Sequence, residues 1–239
     1  MAPKFIIILL TTMAILPEIK SNHWGTCLAE PEAFPFIAII NIPEESFSIG
    51  ALVTANKVLG PEAAFPPQAT DMTVDLGCIE VESCAARHIP VSHYLRNHSF
   101  RTMIYVLGTP VVLTSAIFPI PIRPSESDDE LWCKFLGFDI HNYQELYWIN
   151  TKIMDRASCL VMRGRIPRNH ACFFDVNENT VYESENIGGP MICDRFLFGL
   201  MSVYPAVDTA EPVQLVSNLT GFRLPNEETG GFQPMPRSH

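Results

Sequence analysis

After its first sixteen residues the chain has no apolar run long enough to cross a bilayer, which takes about 20 residues. No membrane span is therefore expected. The chain is also short of cations, with 16 Lys plus Arg against 26 Asp plus Glu. That balance argues against nucleic acid as a partner, because phosphate binding needs a positive field. No Cys-x-x-Cys pair accompanies the cysteines, so no metal site and no cofactor are expected. Helical periodicity is scarce, and 20 prolines would interrupt it. No repeat of fixed period is present.

What the chain does have begins with its leader. Lys4 precedes an apolar run from Phe5 to Leu16, broken only by Thr11 and Thr12. Residues 1–21 read as a secretory signal peptide, with the cut expected between Ile15 and Trp24. The mature protein is expected to be secreted and extracellular. Seven cysteines in an exported chain read as bridges with one left over. Two triplets, Asn97-His98-Ser99 and Asn218-Leu219-Thr220, make Asn97 and Asn218 candidate glycosylation sites.

Short apolar and β-branched runs recur between turn-forming residues: Phe36–Ile40, Phe47–Val53, Thr102–Leu107 and Leu197–Val203. This pattern predicts an all-β barrel or sandwich. A short helix is expected within Tyr143–Asp155. Arg163, Arg165 and Arg168 read as a solvated loop, with a local acidic patch as the alternative partner. The polar, acidic stretch 124–130 reads as a surface link between two packed units, and residues 225–239 as a loose tail.

The sharpest local signal is Gly188-Gly189-Pro190-Met191-Ile192-Cys193, followed by Gly199-Leu200-Met201-Ser202-Val203. It resembles the segment around the nucleophile of chymotrypsin/trypsin-like serine proteases. Ala29–Phe36, Ile49–Val53, Tyr105–Val111, Pro119–Pro124 and Cys133–Phe138 are similar to successive landmarks of that family, in its order and spacing. The resemblance covers roughly residues 28–222. It implies two packed antiparallel β barrels, about 28–123 and 131–222, with residues such as Ile37, Ile39, Leu52 and Val106 in the first core. Ile192, Leu200 and Val203 are expected in the second. It also implies the bridges Cys133–Cys193 and Cys159–Cys172. Cys78 and Cys84, close in sequence, are expected to form a third. Cys27 is left free or joined to another chain.

The family's chemistry needs a serine nucleophile, an imidazole base and an orienting carboxylate. The resemblance places Ile187, Ala63 and Arg101 at those three positions. Ile187 offers no nucleophile, Ala63 no base, and a guanidinium cannot accept a proton. Val181 falls at the floor of the specificity pocket, Tyr204 at its wall and Glu185 at the oxyanion hole. Asn186 stands where an aspartate would pair with a new amino terminus on activation. The combined reading is a catalytically inactive homologue, and so not an enzyme. It would bind an extracellular protein, a protease or a surface glycan, and in that way could regulate a protease system. Two alternatives remain: a hydrolase using rearranged groups, with Ser184, Ser202, His88, His93, His98 and His170 as the pieces, or a structural component of a secretion.

Overall fold

The computed structural model describes residues 27–43, 47–62, 68–124, 131–139, 145–176, 186–202 and 213–225. The leader, Ala63, Val181, Ser184, Glu185, Val203, Tyr204, residues 125–130 of the link and residues 226–239 of the tail lie outside them. The described residues form thirteen strands and almost no helix.

Six strands make the first barrel: β2 (Ile37–Asn41), β3 (Ser48–Thr54), β4 (Lys57–Pro61), β5 (Thr73–Glu80), β6 (Ser83–Asn97) and β7 (Thr102–Leu107). They pair antiparallel in the order β2, β3, β4, β7, β6, β5, and β5 returns to β2 to close the ring. The second barrel repeats that order with β8 (Trp132–Asp139), β9 (Glu145–Met154), β10 (His170–Asp175), β11 (Pro190–Cys193), β12 (Phe196–Met201) and β13 (Val213–Asn218). Closure leaves neither barrel with an unpaired edge along its ladder. Short strand β1 (Cys27–Leu28) adds to β9, and Glu80 opposite Glu145 carries the hydrogen-bonded sheet from one barrel into the other.

Ile37, Ile39 and Leu52 are wholly buried in the first barrel, and Val106 is nearly so. Ile192 and Leu200, expected in the second core, instead pack with the first barrel's cluster. Leu136, Phe138, Leu146, Leu197, Leu219 and Phe222 join them from the second half of the chain. The reason is strand alternation: neighbouring residues face opposite sides, so Met191 and Met201 point inward while Ile192 and Leu200 point across the junction.

The helix expected within Tyr143–Asp155 is corrected. Residues 145–154 are strand β9, whose Tyr147, Ile149, Thr151 and Ile153 alternate inward. The helix, α1 (Arg156–Arg163), starts just after it. Asp155 caps it by accepting from the backbone N–H groups of Ala157 and Ser158, both at 3.0 Å, and Gly164 ends it with φ 71°. The Ser158 hydrogen bonds hold the Asp155 carboxyl below the usual carboxylate range.

Three disulfides are present: Cys78–Cys84, Cys133–Cys193 and Cys159–Cys172. The second links β8 to β11 at directly opposed residues, and the third fastens α1 to β10. Cys27 is free and half-buried. Among the described residues, no helix is long and apolar enough to cross a membrane, and no cluster of metal-ligating side chains occurs.

Candidate functional site

The segment Asn186–Gly189 turns the chain into β11 against the first barrel. Gly188 has φ 85°, and a Cβ there would lie 2.2 Å from the Ile49 carbonyl oxygen and 2.6 Å from Pro61 Cδ. Only glycine allows both the left-handed backbone and that approach. The Gly188 N–H donates to the Met201 carbonyl at 2.9 Å, and Met201 N–H donates to Gly189 at 2.9 Å. Ile187 is held half-buried at the head of this turn. Its side chain is all carbon and hydrogen.

Asn186 is buried beside it. Its Oδ1 accepts from the Phe138 N–H at 3.1 Å, and its Nδ2 donates to the Tyr147 hydroxyl at 3.0 Å. The residue thus serves as a neutral strut between the turn, β8 and β9. Gly137 is required alongside, because a Cβ there would stand 2.4 Å from Asn186 Oδ1.

Arg101 lies in the tight turn between β6 and β7, with φ 54°. Its guanidinium reaches the Glu62 carboxylate at 3.4 Å, while its carbonyl accepts from the Glu62 N–H at 3.0 Å. The His98 imidazole contacts the other Glu62 oxygen. Glu62 is therefore gripped from both sides at the end of β4, immediately before Ala63. Asn169 Nδ2 donates to the Ser99 carbonyl at 3.1 Å and ties this corner to the start of β10.

From the second barrel, His170 and Ser202 meet at the same corner. His170 Nε2 lies 3.0 Å from Ser202 Oγ, and both residues are buried. Burial, and then the charges of Arg101 and Arg156, push the imidazole down to about 4, so it is neutral at physiological pH. The pair brings a hydroxyl and an unprotonated imidazole into contact, as nucleophile activation requires.

The sequence places Ser202 and His170 among available pieces but 32 positions apart, with nothing to bring them together. The order of strands in the second barrel does so: β10 and β12 both flank β13. The Glu62–His98–Arg101 contact is equally invisible in sequence, since it joins the ends of β4 and β6. His88 and His93 take no part and lie exposed on β6.

The structure is similar to neuropsin, described as a serine protease expressed in the limbic system of mouse brain. The TM-score is 0.70 at 19% identity, over 81% of this chain and 93% of that one. A structure of GrC matches with a TM-score of 0.67 at 20% identity, over 81% of this chain and 93% of that one. No protein-family profile matches the chain, and no curated protein matches it. The chain has the chymotrypsin/trypsin-like fold.

These findings overturn the expectation that the chain is not an enzyme. A protein sharing its fold is a serine protease, so this architecture is one on which catalysis is carried. The physical reason is that the expectation rested on the family's own catalytic, pocket and activation positions: Ile187, Ala63, Arg101, Val181, Tyr204, Glu185 and Asn186. A fold can seat a hydroxyl and an imidazole together elsewhere, and Ser202 with His170 does so.

Proposed function

We propose that the chain is an exported protein of trypsin-like fold that acts by holding an extracellular partner on its surface. That partner is a protein, a protease among them, or a surface glycan, and the outcome is regulation of a protease system. The observation that carries this reading is Arg101 fastened to Glu62, where the resemblance would set an orienting carboxylate. An ion pair and an apolar Ile187 now occupy the corner between the barrels. Rigid closed barrels and three disulfides hold the surrounding surface ready for contact at low ordering cost. Affinity capture from the native extracellular fluid tests it, with the mature protein as bait and a heat-denatured, reduced sample as control. One partner retained at a defined stoichiometry is expected; recovery identical to the control would end the reading.

The second reading is ester or amide hydrolysis, favoured by the Ser202–His170 contact at 3.0 Å. Ser202 Oγ would bond to the acyl carbon while its proton passes to His170 Nε2. That proton then leaves with the departing alcohol or amine, and water, activated the same way, releases the acid and restores Ser202. A serine-directed covalent probe would label the wild type and not Ser202→Ala. Equal labelling of both, or none of either, removes this reading.

A further inference from the structure

On the second barrel an open cavity of about 610 Å³ lies between α1, the ends of β9 and β13, the start of β10, and Arg123. Its lining is unlike the rest of the molecule. The whole chain carries a formal charge of −10. Around this cavity, however, stand Arg123, Arg156 and Arg168 against a single carboxylate, Asp155. Arg123 is drawn to Asp194 at 3.7 Å and His170 is neutral, so Arg156 and Arg168 carry the positive character of the cavity. The Asp155 carboxylate is already turned to the α1 backbone. Arg156 anchors the wall by donating to the carbonyls of Ile166, Pro167 and His170 at 3.3–3.5 Å. Arg168 is exposed at the mouth.

Leu131, Ile153, Ile166 and Phe198 supply the apolar part of the lining. On the flank of α1 beside the cavity, Leu160 is 40% exposed. Two chemistries therefore share one concavity: the cations Arg156 and Arg168 and the hydrocarbon of Leu131, Ile153, Ile166 and Phe198.

We propose that this cavity docks a segment of a partner protein in which carboxylates alternate with apolar side chains. The proposal rests on the binding reading above and names the chemistry of its partner. A sulfated glycan would satisfy the arginines but give the apolar lining nothing to bury. A purely apolar segment would desolvate the arginines without compensation. An acidic, apolar peptide matches both parts, and a localised positive cavity on an acidic surface steers it to one place.

The probe is a fluorescent synthetic peptide alternating Glu with Leu and Phe, titrated by anisotropy against the mature protein. Comparison probes carry Lys for Glu, or Ser for Leu and Phe; a fourth is a highly sulfated oligosaccharide. The Glu/Leu/Phe peptide should bind, weaken as salt rises, and lose about tenfold affinity to Arg168→Glu. Arg168→Lys should stay within about threefold, because the charge at the mouth is retained. The exposed position leaves the melting temperature of both variants unchanged, which is checked alongside. Unaltered affinity in Arg168→Glu, equal binding of the Ser-substituted probe, or binding of the oligosaccharide alone would each overturn the proposal. Capture from extracellular fluid separates the two levels. If Arg168→Glu retains the same partner as wild type, the cavity inference fails while the binding reading stands. If wild type retains no specific partner, the binding reading fails.

Discussion

Asn97 shows how a residue legible as a motif acquires a different meaning once packed. Its triplet marks it for a glycan, yet the residue is buried and Nδ2, the atom a sugar would occupy, lies inside the protein. Its Oδ1 accepts from the Ser99 N–H at 3.1 Å, closing the turn that carries Arg101. Attached sugar would have to be accommodated where Asn97 packs opposite Thr102. Peptides containing Asn97 from folded protein produced through a secretory pathway should therefore be free of N-linked sugar in mass-spectrometric mapping; near-complete occupancy there would refute the packing. His170 makes the second prediction at this scale. Burial, Arg101 and Arg156 lower it to about 4 from an ordinary value near 6.5. Between those pH values the unfolded chain binds more protons than the folded one, so stability rises with pH across the window. It is complete above about 6.5 and lost as pH falls through about 4. The contribution is about 1–2 kcal/mol after allowance for solvent screening. His170→Gln should flatten the decline in melting temperature between pH 6.5 and pH 4.5; an unchanged slope would show that the imidazole is not the group responsible.

Among the elements, the turn into β11 was the most legible in sequence, because Gly188 and Gly189 have no substitute there. What the sequence does not reveal is the purpose of Asn186. Read alone, it is an aspartate position that has lost its charge. Folded, it reaches 48 residues back to the Phe138 N–H and 39 back to the Tyr147 hydroxyl. Asn186→Ala should leave that N–H buried without its acceptor and cost about 2–4 kcal/mol, measured by denaturant titration. A loss below about 0.5 kcal/mol would mean the strut is dispensable. Gly188→Ala should be worse tolerated than Gly189→Ala in its effect on the junction, since its Cβ would strike Ile49 and Pro61 of the first barrel. The missed helix has a plain cause as well. β9 and α1 abut with only Asp155 between them, and the β-branched and aromatic alternation of residues 145–154 competes locally with a helix-like spacing. The cap at Asp155 settles the boundary, and caps are decided by backbone geometry that a hydrophobic pattern does not record.

At the scale of the whole molecule, the repeated strand order gives two similar barrels, but their cores are not separate. The fold class was readable because short strands and turn residues are local signals, and landmark spacing supplied the barrel order. The inward and outward faces at the junction were not, because a one-residue change of face exchanges the partners of an entire strand. Ile192 and Leu200 are the instance: both were assigned inward and both face the first barrel's cluster. This sharing predicts how the protein unfolds. Phe138, wholly buried in the junction, meets Phe47 edge to face with ring centroids 6.1 Å apart, and Leu200 is buried beside the same cluster. Phe138→Ala should cost about 3–5 kcal/mol and Leu200→Ala about 2–5 kcal/mol. Each should lower the stability of both barrels together. Amide hydrogen exchange along β10 and β13 reports on the second barrel, and exchange along β2 and β3 reports on the first. The two probes should pass through one coincident denaturant transition in wild type and shift equally in either variant. If exchange along β10 and β13 moved while exchange along β2 and β3 kept its wild-type midpoint, the barrels would be independent units, and the junction would be a contact between finished domains. The continuous cluster argues the opposite: removing a side chain from one barrel opens a cavity against residues of the other, and neither can recover its density alone.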